Sequence, residues 1–374
     1  MSIYTFSTAN WVRFIFIATV VCALFVILKN ERALVKGSRT QIIGYTIAIL
    51  AIFYIGLRPT NLMETGDSVL YAKIFNLVQS GEWRSFTGKF TEAAPMGLTS
   101  EGIWTEIEWF FVHHFTASNW FLFIAFIYIG ALIYALRRWL PNNMTIALIF
   151  VMSALMFWGY AVNGLRQGMA ASICIMGLAT LPDTFKKNYT RLAIAVVICY
   201  MGCACHSSML LFMGAMILSY LVPSRKNVFF VWMLCLFLSP FSTSLMVSIG
   251  SSLIDDNRLA IYAQKAVDRF SHSGWRWDFI IYSALPVLLG WYLLVKRRIG
   301  DATYLLMLNI YIYTNSFWLL LNSVAYSNRF AYISWCLYPF LIAYPLLKFK
   351  ISVKQPQLTA GALILFLGLT LVLT

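Results

Sequence analysis

Charge is what this chain has least of. Only 11% of its 374 residues are Asp, Glu, Lys or Arg, where a soluble protein carries about a quarter. Acids are scarcest, at 14 against 28 Lys and Arg, and there are four His. No polar stretch is long enough for a separate water-soluble domain. These shortages exclude a soluble globular enzyme. Cys203-Ala204-Cys205-His206 has no second Cys/His pair at zinc spacing to accompany it, so no metal centre is read. The seven Cys lie mostly inside apolar runs, where a lone Cys behaves as a small hydrophobe. A small-residue cleavage site is missing after the first apolar run, which therefore resembles a first span rather than a removable leader.

Apolar residues fill the space: 60% of the chain is hydrophobic, 17% is aromatic and the mean hydropathy is +0.75. A spanning helix needs roughly 17–25 mostly apolar residues. Without water the backbone must satisfy its own hydrogen bonds, so such runs mean helices. They fall at 11–28, 41–57, 119–136, 145–162, 165–181, 192–205, 207–222, 228–248, 278–295, 302–322, 330–347 and 356–374. The predicted fold class is all-α: a polytopic membrane helix bundle of about 12 transmembrane helices, forming a single integral membrane domain over 1–374. Segment 101–115 is also apolar but carries Glu101, Glu106, Glu108, His113 and His114, and reads as an interfacial or re-entrant helix.

Charge is distributed unevenly between the loops. Loops 29–40, 137–144, 182–191, 223–227, 296–301 and 348–355 hold 17 of the 28 Lys and Arg but only Glu31, Asp183 and Asp301 among the acids. The rest of the chain is neutral overall. By the positive-inside rule the basic loops face the cytoplasm. Both termini then lie outside, which in a double-membrane bacterium is the periplasm, and the protein belongs in the inner membrane. The net charge of +14 is thus topological. Its expected partners are membrane lipids, not nucleic acid.

Two longer extracytoplasmic loops, 58–118 and 249–277, stand out, since loops this long in a compact bundle are usually functional. The first opens on Arg58 and reaches Gly66-Asp67-Ser68. Leu70, Ile74, Leu77 and Val78 then mark one face of an amphipathic helix suited to the membrane interface. The second mixes charges and aromatics, including Arg258, Tyr262, Trp275 and Trp277. That mixture suits carbohydrate, whose hydroxyls need hydrogen bonds and whose C–H faces stack on rings. It equally suits an interfacial aromatic belt. No internal repeat is seen.

Asn163-Gly164-Leu165-Arg166-Gln167-Gly168 is the strongest site signal. One span ends at Asn163-Gly164 and the next starts at once, placing Arg166 at an outer helix N-terminus, where the dipole is already positive. Guanidinium and unpaired N–H groups together make an anion site. A snorkelling Arg is the structural alternative. Tyr326-Ser327-Asn328-Arg329 repeats the arrangement, with Ser327 or Asn328 as cap. Two such Arg suit a pyrophosphate; an ion pair with an acid of the first loop is the alternative. His206, at a span junction before Ser207 and Ser208, is a candidate general base. Asp67 either caps its helix or orients an acceptor hydroxyl and takes its proton. One of Glu101, Glu106 and Glu108 is a reserve base, since acids in such a setting are costly unless paired or wet.

Gly66-Asp67 followed by Tyr71, Leu165-Arg166-Gln167 opening a span, His206-Ser207-Ser208 at a junction, and Asn328-Arg329 with Tyr332 together resemble the EpsG/Wzy-type polysaccharide (O-antigen) polymerase family. The likeness runs from about residue 40 to 347 and departs at Ser100-Glu101-Gly102, where the family often shows Glu-Pro-Gly. It implies a glycosyltransferase that needs neither metal nor cofactor. Donor and acceptor would be lipid-linked oligosaccharides on undecaprenyl pyrophosphate, joined on the periplasmic face into O-antigen or a related lipopolysaccharide component. A chain-length regulator protein is a further implied partner. On this reading His206 and Asp67 are catalytic and Arg166 and Arg329 bind pyrophosphate. Arg58, Tyr71, Asn163, Gln167, Arg258, Tyr262 and Asn328 bind substrate. An O-antigen ligase shares the donor chemistry. A membrane O-acyltransferase would want a more committed His with cytosolic access. A lipid-linked glycan transporter would place ionisable groups at span centres, where this chain has almost none.

Overall fold

A computed structural model describes residues 6–29, 38–59, 67–81, 102–182, 188–253, 275–323 and 327–373. Every regular element among them is helical, and the helices group into two compact units.

The first unit covers residues 1–210 and 346–374. It contains α1 (Phe6–Lys29), α2 (Ser38–Gly56), α3 (Asp67–Gln79), α4 (Gly102–His114), α5 (Ala117–Trp139), α6 (Met144–Met152), α7 (Leu155–Val162), α8 (Leu165–Thr180) and α9 (Tyr189–Cys205). Thr116 caps α5 through its side chain, which accepts the Asn119 N–H. α5 packs against both α2 and α8. The run predicted as one span over 145–162 is broken: α6 and α7 meet at 69° across Ser153-Ala154. The break stays satisfied in an apolar setting because the Trp158 indole donates to the Met152 carbonyl at 2.9 Å.

The tightest pairing is the antiparallel hairpin of α8 and α9. Ala170, Cys174 and Gly177 on α8 recur at the same spacing as Ala195, Cys199 and Gly202 on α9. Gly177 lies against Cys199 and the Ala195 carbonyl, and Gly202 against Cys174 and the Ala170 carbonyl. Each thiol also lies 3.8 Å from the other cysteine's carbonyl. Small residues on both sides let the backbones approach, which is how helices associate when lipid gives no hydrophobic drive. This seam brings the start of α8 and the end of α9 to the same end of the unit.

The second unit covers residues 211–345. It contains α10 (Met209–Leu221) but for its first two residues, α11 (Asn227–Leu253), α12 (Trp277–Trp291, continued as a π turn to Lys296), α13 (Ala302–Leu320), α14 (Asn328–Trp335) and most of α15 (Tyr338–Lys348). Its core joins polar groups in pairs. Asn315 accepts the Trp232 indole N–H at 2.8 Å and donates to Ser334 at 3.1 Å. Ser283 accepts the Trp335 indole N–H at 2.7 Å. α16 (Gln355–Leu373) returns to the first unit.

The helices coincide closely with the predicted apolar runs, but the count of crossings does not follow. Among the described residues, Ala117–Trp139, Trp277–Lys296 and Asn328–Lys348 are long and apolar enough to cross, and the bent α6–α7 pair makes a fourth. Others are shorter or more polar. α8 and α9 have 16 and 17 residues, about 24–26 Å at 1.5 Å per residue, against a hydrocarbon core of about 30 Å. α13 has the length, with 19 residues, but Asn309, Thr314, Asn315 and Ser316 make it too polar. Outward faces of several helices are strongly apolar even so: Phe230, Met233, Phe237 and Phe241 on α11 are all exposed.

Candidate functional site

The site end of the first unit is assembled from the turn between α7 and α8 outward. Gly164 lies between the two helices as expected, with a φ of −101°, outside the left-handed region. Close approach is the reason for glycine here and at Gly168, because a Cβ at either position would press on Tyr160. The helix start therefore follows the turn at once, and Arg166 falls in the first turn of α8, half-buried. No side chain caps that start.

Arg58 leaves α2 and is almost wholly buried, at 4% exposure. Its guanidinium donates to the Ile55 carbonyl, and to the Ser68 hydroxyl from Nε at 3.2 Å and from an Nη at 2.9 Å. It lies 4.6 Å over the Phe121 ring. Ser68 in turn donates to the Val162 carbonyl. That chain of bonds pins the start of α3 against the end of α7. Asp67 is the first residue of α3 rather than its cap, and its backbone N–H donates to Asn163 Oδ1 at 3.2 Å.

One turn along α3, Tyr71 accepts a hydrogen bond from Arg166 Nε at 3.0 Å. Tyr71 is held by two indoles, with ring centroids 6.0 Å from Trp104 and 6.2 Å from Trp120. From the other side of Arg166, Gln167 donates to Ser208 Oγ at 3.4 Å. Ser208 contacts His206 Nδ1 twice, through its backbone N–H at 3.3 Å and its hydroxyl at 2.8 Å. A backbone N–H can only donate, so Nδ1 is an acceptor and a neutral His206 carries its proton on Nε2.

The structure thus brings Arg58, Asp67, Tyr71, Asn163, Arg166, Gln167 and His206 to one end of one unit. Sequence reasoning left one residue of this end undifferentiated. Glu108 was one of three acids, but α4 turns Trp104, Glu108, Phe111 and Val112 inward and leaves Glu106, Trp109, Phe110 and His113 exposed. The i, i+4 relation to Trp104 was the available signal. Burial pushes the Glu108 carboxyl up to about 8, against the pull of the Arg166 guanidinium.

In the second unit Arg329 is the second residue of α14 and is exposed. Ser327 precedes that helix but makes no capping bond, contrary to expectation, because its backbone is already helical there (φ −54°, ψ −25°). Asn328 instead donates to Tyr332 Oη at 2.8 Å. Arg258 and Tyr262 lie outside the described residues, as does Glu101.

Searches among curated proteins and among solved structures return no match. A family model described as EpsG matches residues 42–374, which takes in both units and every side chain of the cluster around Arg166, so the chain belongs to the EpsG family.

Proposed function

We propose that this protein is a membrane glycosyltransferase that polymerises oligosaccharide repeat units carried on undecaprenyl pyrophosphate, working at the periplasmic face. The observation that carries the reading is Arg166. It opens α8, where helix N–H groups and dipole already favour an anion, and Tyr71 holds it in place. A pyrophosphate leaving group gains negative charge as its bond to the anomeric carbon breaks. Fixed donors aimed at that charge stabilise the transition state.

In the reaction the acceptor hydroxyl oxygen attacks the anomeric carbon of the donor glycan. The bond from that carbon to the pyrophosphate oxygen breaks, and the lipid pyrophosphate departs with the electron pair. Arg166 is assigned to the pyrophosphate. His206 contributes its Nε2–H as a donor to an oxygen of the reacting groups, since Nδ1 is engaged by Ser208. Asp67 orients the acceptor hydroxyl, with Asn163 setting its backbone. Arg58 acts beneath them by fixing α3.

Purified full-length protein, incubated with lipid-linked oligosaccharides extracted from cells lacking it, tests the reading. The expected product is a ladder of lengthening glycans on a gel. A single transfer to a different acceptor would make it a ligase-type transferase, and no transfer at all would overturn the assignment.

A further inference from the structure

We propose that Glu108 is the group that takes the proton from the acceptor hydroxyl. The proposal rests on the polymerase reading and adds to it the proton acceptor that the hydrogen-bonded geometry of His206 does not supply.

Placement comes first. Glu108 is 4% exposed, and its Oε1 has no hydrogen-bond partner among the described residues. A buried carboxyl left without a partner is costly, so one that persists calls for a reason. It sits one turn from Trp104, on the same face, and Trp104 packs on the Tyr71 that holds Arg166. The indole N–H groups of Trp104 and Trp120 are likewise buried without a partner among the described residues, with ring centroids 5.4 Å apart. Orphaned polar atoms thus gather where Tyr71 and Arg166 meet. α4 itself has 13 residues, too few to cross, and its outward Trp109 and Phe110 suit the membrane interface, where a sugar hydroxyl arrives from water.

Surrounding charges single out one partner. On α4, Glu106, His113 and His114 are exposed. α3 contributes Asp67, Tyr71 and an exposed Lys73, and α5 has no ionisable side chain before Tyr128. α9 carries Cys199, Cys203 and Cys205 and ends at His206. From α8 comes Arg166, whose charge acts on Glu108. A carboxyl raised to about 8 is a far stronger base than an ordinary glutamate, and general bases work best with a pKa near the operating pH. In the step, the acceptor O–H bond breaks as its oxygen bonds the anomeric carbon. The proton passes to the Glu108 carboxylate and the pyrophosphate leaves with its electron pair. The resulting carboxylic acid then returns the proton to water.

The test compares wild type, Glu108→Gln and Glu108→Asp, each as purified full chain, with the same extracted lipid-linked oligosaccharides across pH. Wild type is expected to quicken about tenfold per pH unit below about 8 and level off above it. Glu108→Gln should lose about 10²–10⁴-fold at every pH, with no such limb, while inorganic pyrophosphate still protects it from heat as it does wild type. Glu108→Asp should keep a limb with a shifted midpoint. A polymerising wild type alongside a Gln variant of equal rate and unchanged limb overturns the role of Glu108 alone. An Asp variant with an unmoved midpoint does the same, even if the Gln variant fails to fold. No ladder from wild type overturns the polymerase reading and this role together.

Discussion

Arg166 is half-buried at the first turn of α8 and is the group assigned to the anion, so its loss should be felt in chemistry more than in folding. Arg166→Ala is expected to lower the polymerisation rate by about 10²–10³-fold, the usual cost of one donor to developing charge. Lys should recover only part of that, because an ammonium lacks the planar fork. Rates with thermal melting curves beside them check both. Glu108 makes a separate prediction about stability. Its folded pKa is raised, so the folded state binds the proton more tightly than the unfolded chain. The stabilisation is complete below the unfolded value of 4.5 and is lost as pH rises through about 8. Melting temperature should fall across that window in wild type and stay flatter in Glu108→Gln. At this scale the sequence was readable where a residue broke a rule, as Arg166 does by opposing the dipole. It was silent where burial decides: Glu101, Glu106 and Glu108 are chemically alike, and only the packing of α4 separates them.

Helices were the most legible elements, because each apolar run must close its own backbone bonds. Less legible was how they end and pair. The break at Ser153-Ala154 lies inside an unbroken apolar run, and the Trp158 indole that satisfies it acts across the bend. The Ala–Cys–Gly spacing shared by α8 and α9 is too short to register as a repeat, though it governs the hairpin. Gly202→Leu should be strongly destabilising, since any Cβ there meets Cys174 and the Ala170 carbonyl. Overpacking of a tight interior costs about 1–3 kcal/mol, and backbone contact puts this case at the upper end. Gly130 is the control: a Cβ there meets nothing within 4 Å. Gly130→Ala should be neutral or stabilise by up to about 1 kcal/mol through helix propensity. Thermal unfolding in detergent distinguishes the pair.

At the scale of the first unit, two Arg of the basic loops lie at the end away from the Arg166 cluster. Arg137, which bonds Tyr45 at 3.0 Å, and Arg191, which reaches the Leu181 carbonyl at 3.3 Å, sit at the helix ends opposite Arg166 and His206. The proposed sidedness predicts that a membrane-impermeant thiol reagent on intact cells labels a cysteine placed at Lys265 and spares one at Lys187. The reverse pattern would invert the topology and put the cluster in the cytoplasm. The proposed sidedness comes from counting charges, whereas the number of crossings turns on helix lengths, which several helices here keep close to the lower limit for a span.

Because Gly177 and Gly202 each nest against the opposite helix's cysteine, neither helix can slip by a turn without driving a side chain into backbone. Arg166 and His206 are thus mounted on one stiff jaw. The facing jaw, α3, reaches it through the Tyr71 and Asp67 hydrogen bonds, while the Arg58–Ser68 link to Val162 acts as its pivot. On the proposed polymerase reading the enzyme must pass along a growing product, and α3, tied to the hairpin by hydrogen bonds rather than by glycine contacts, is the side expected to yield. Substitutions at Ser68, whose hydroxyl links Arg58 to the Val162 carbonyl, should then alter how many units are added per binding event more than how fast each one is joined.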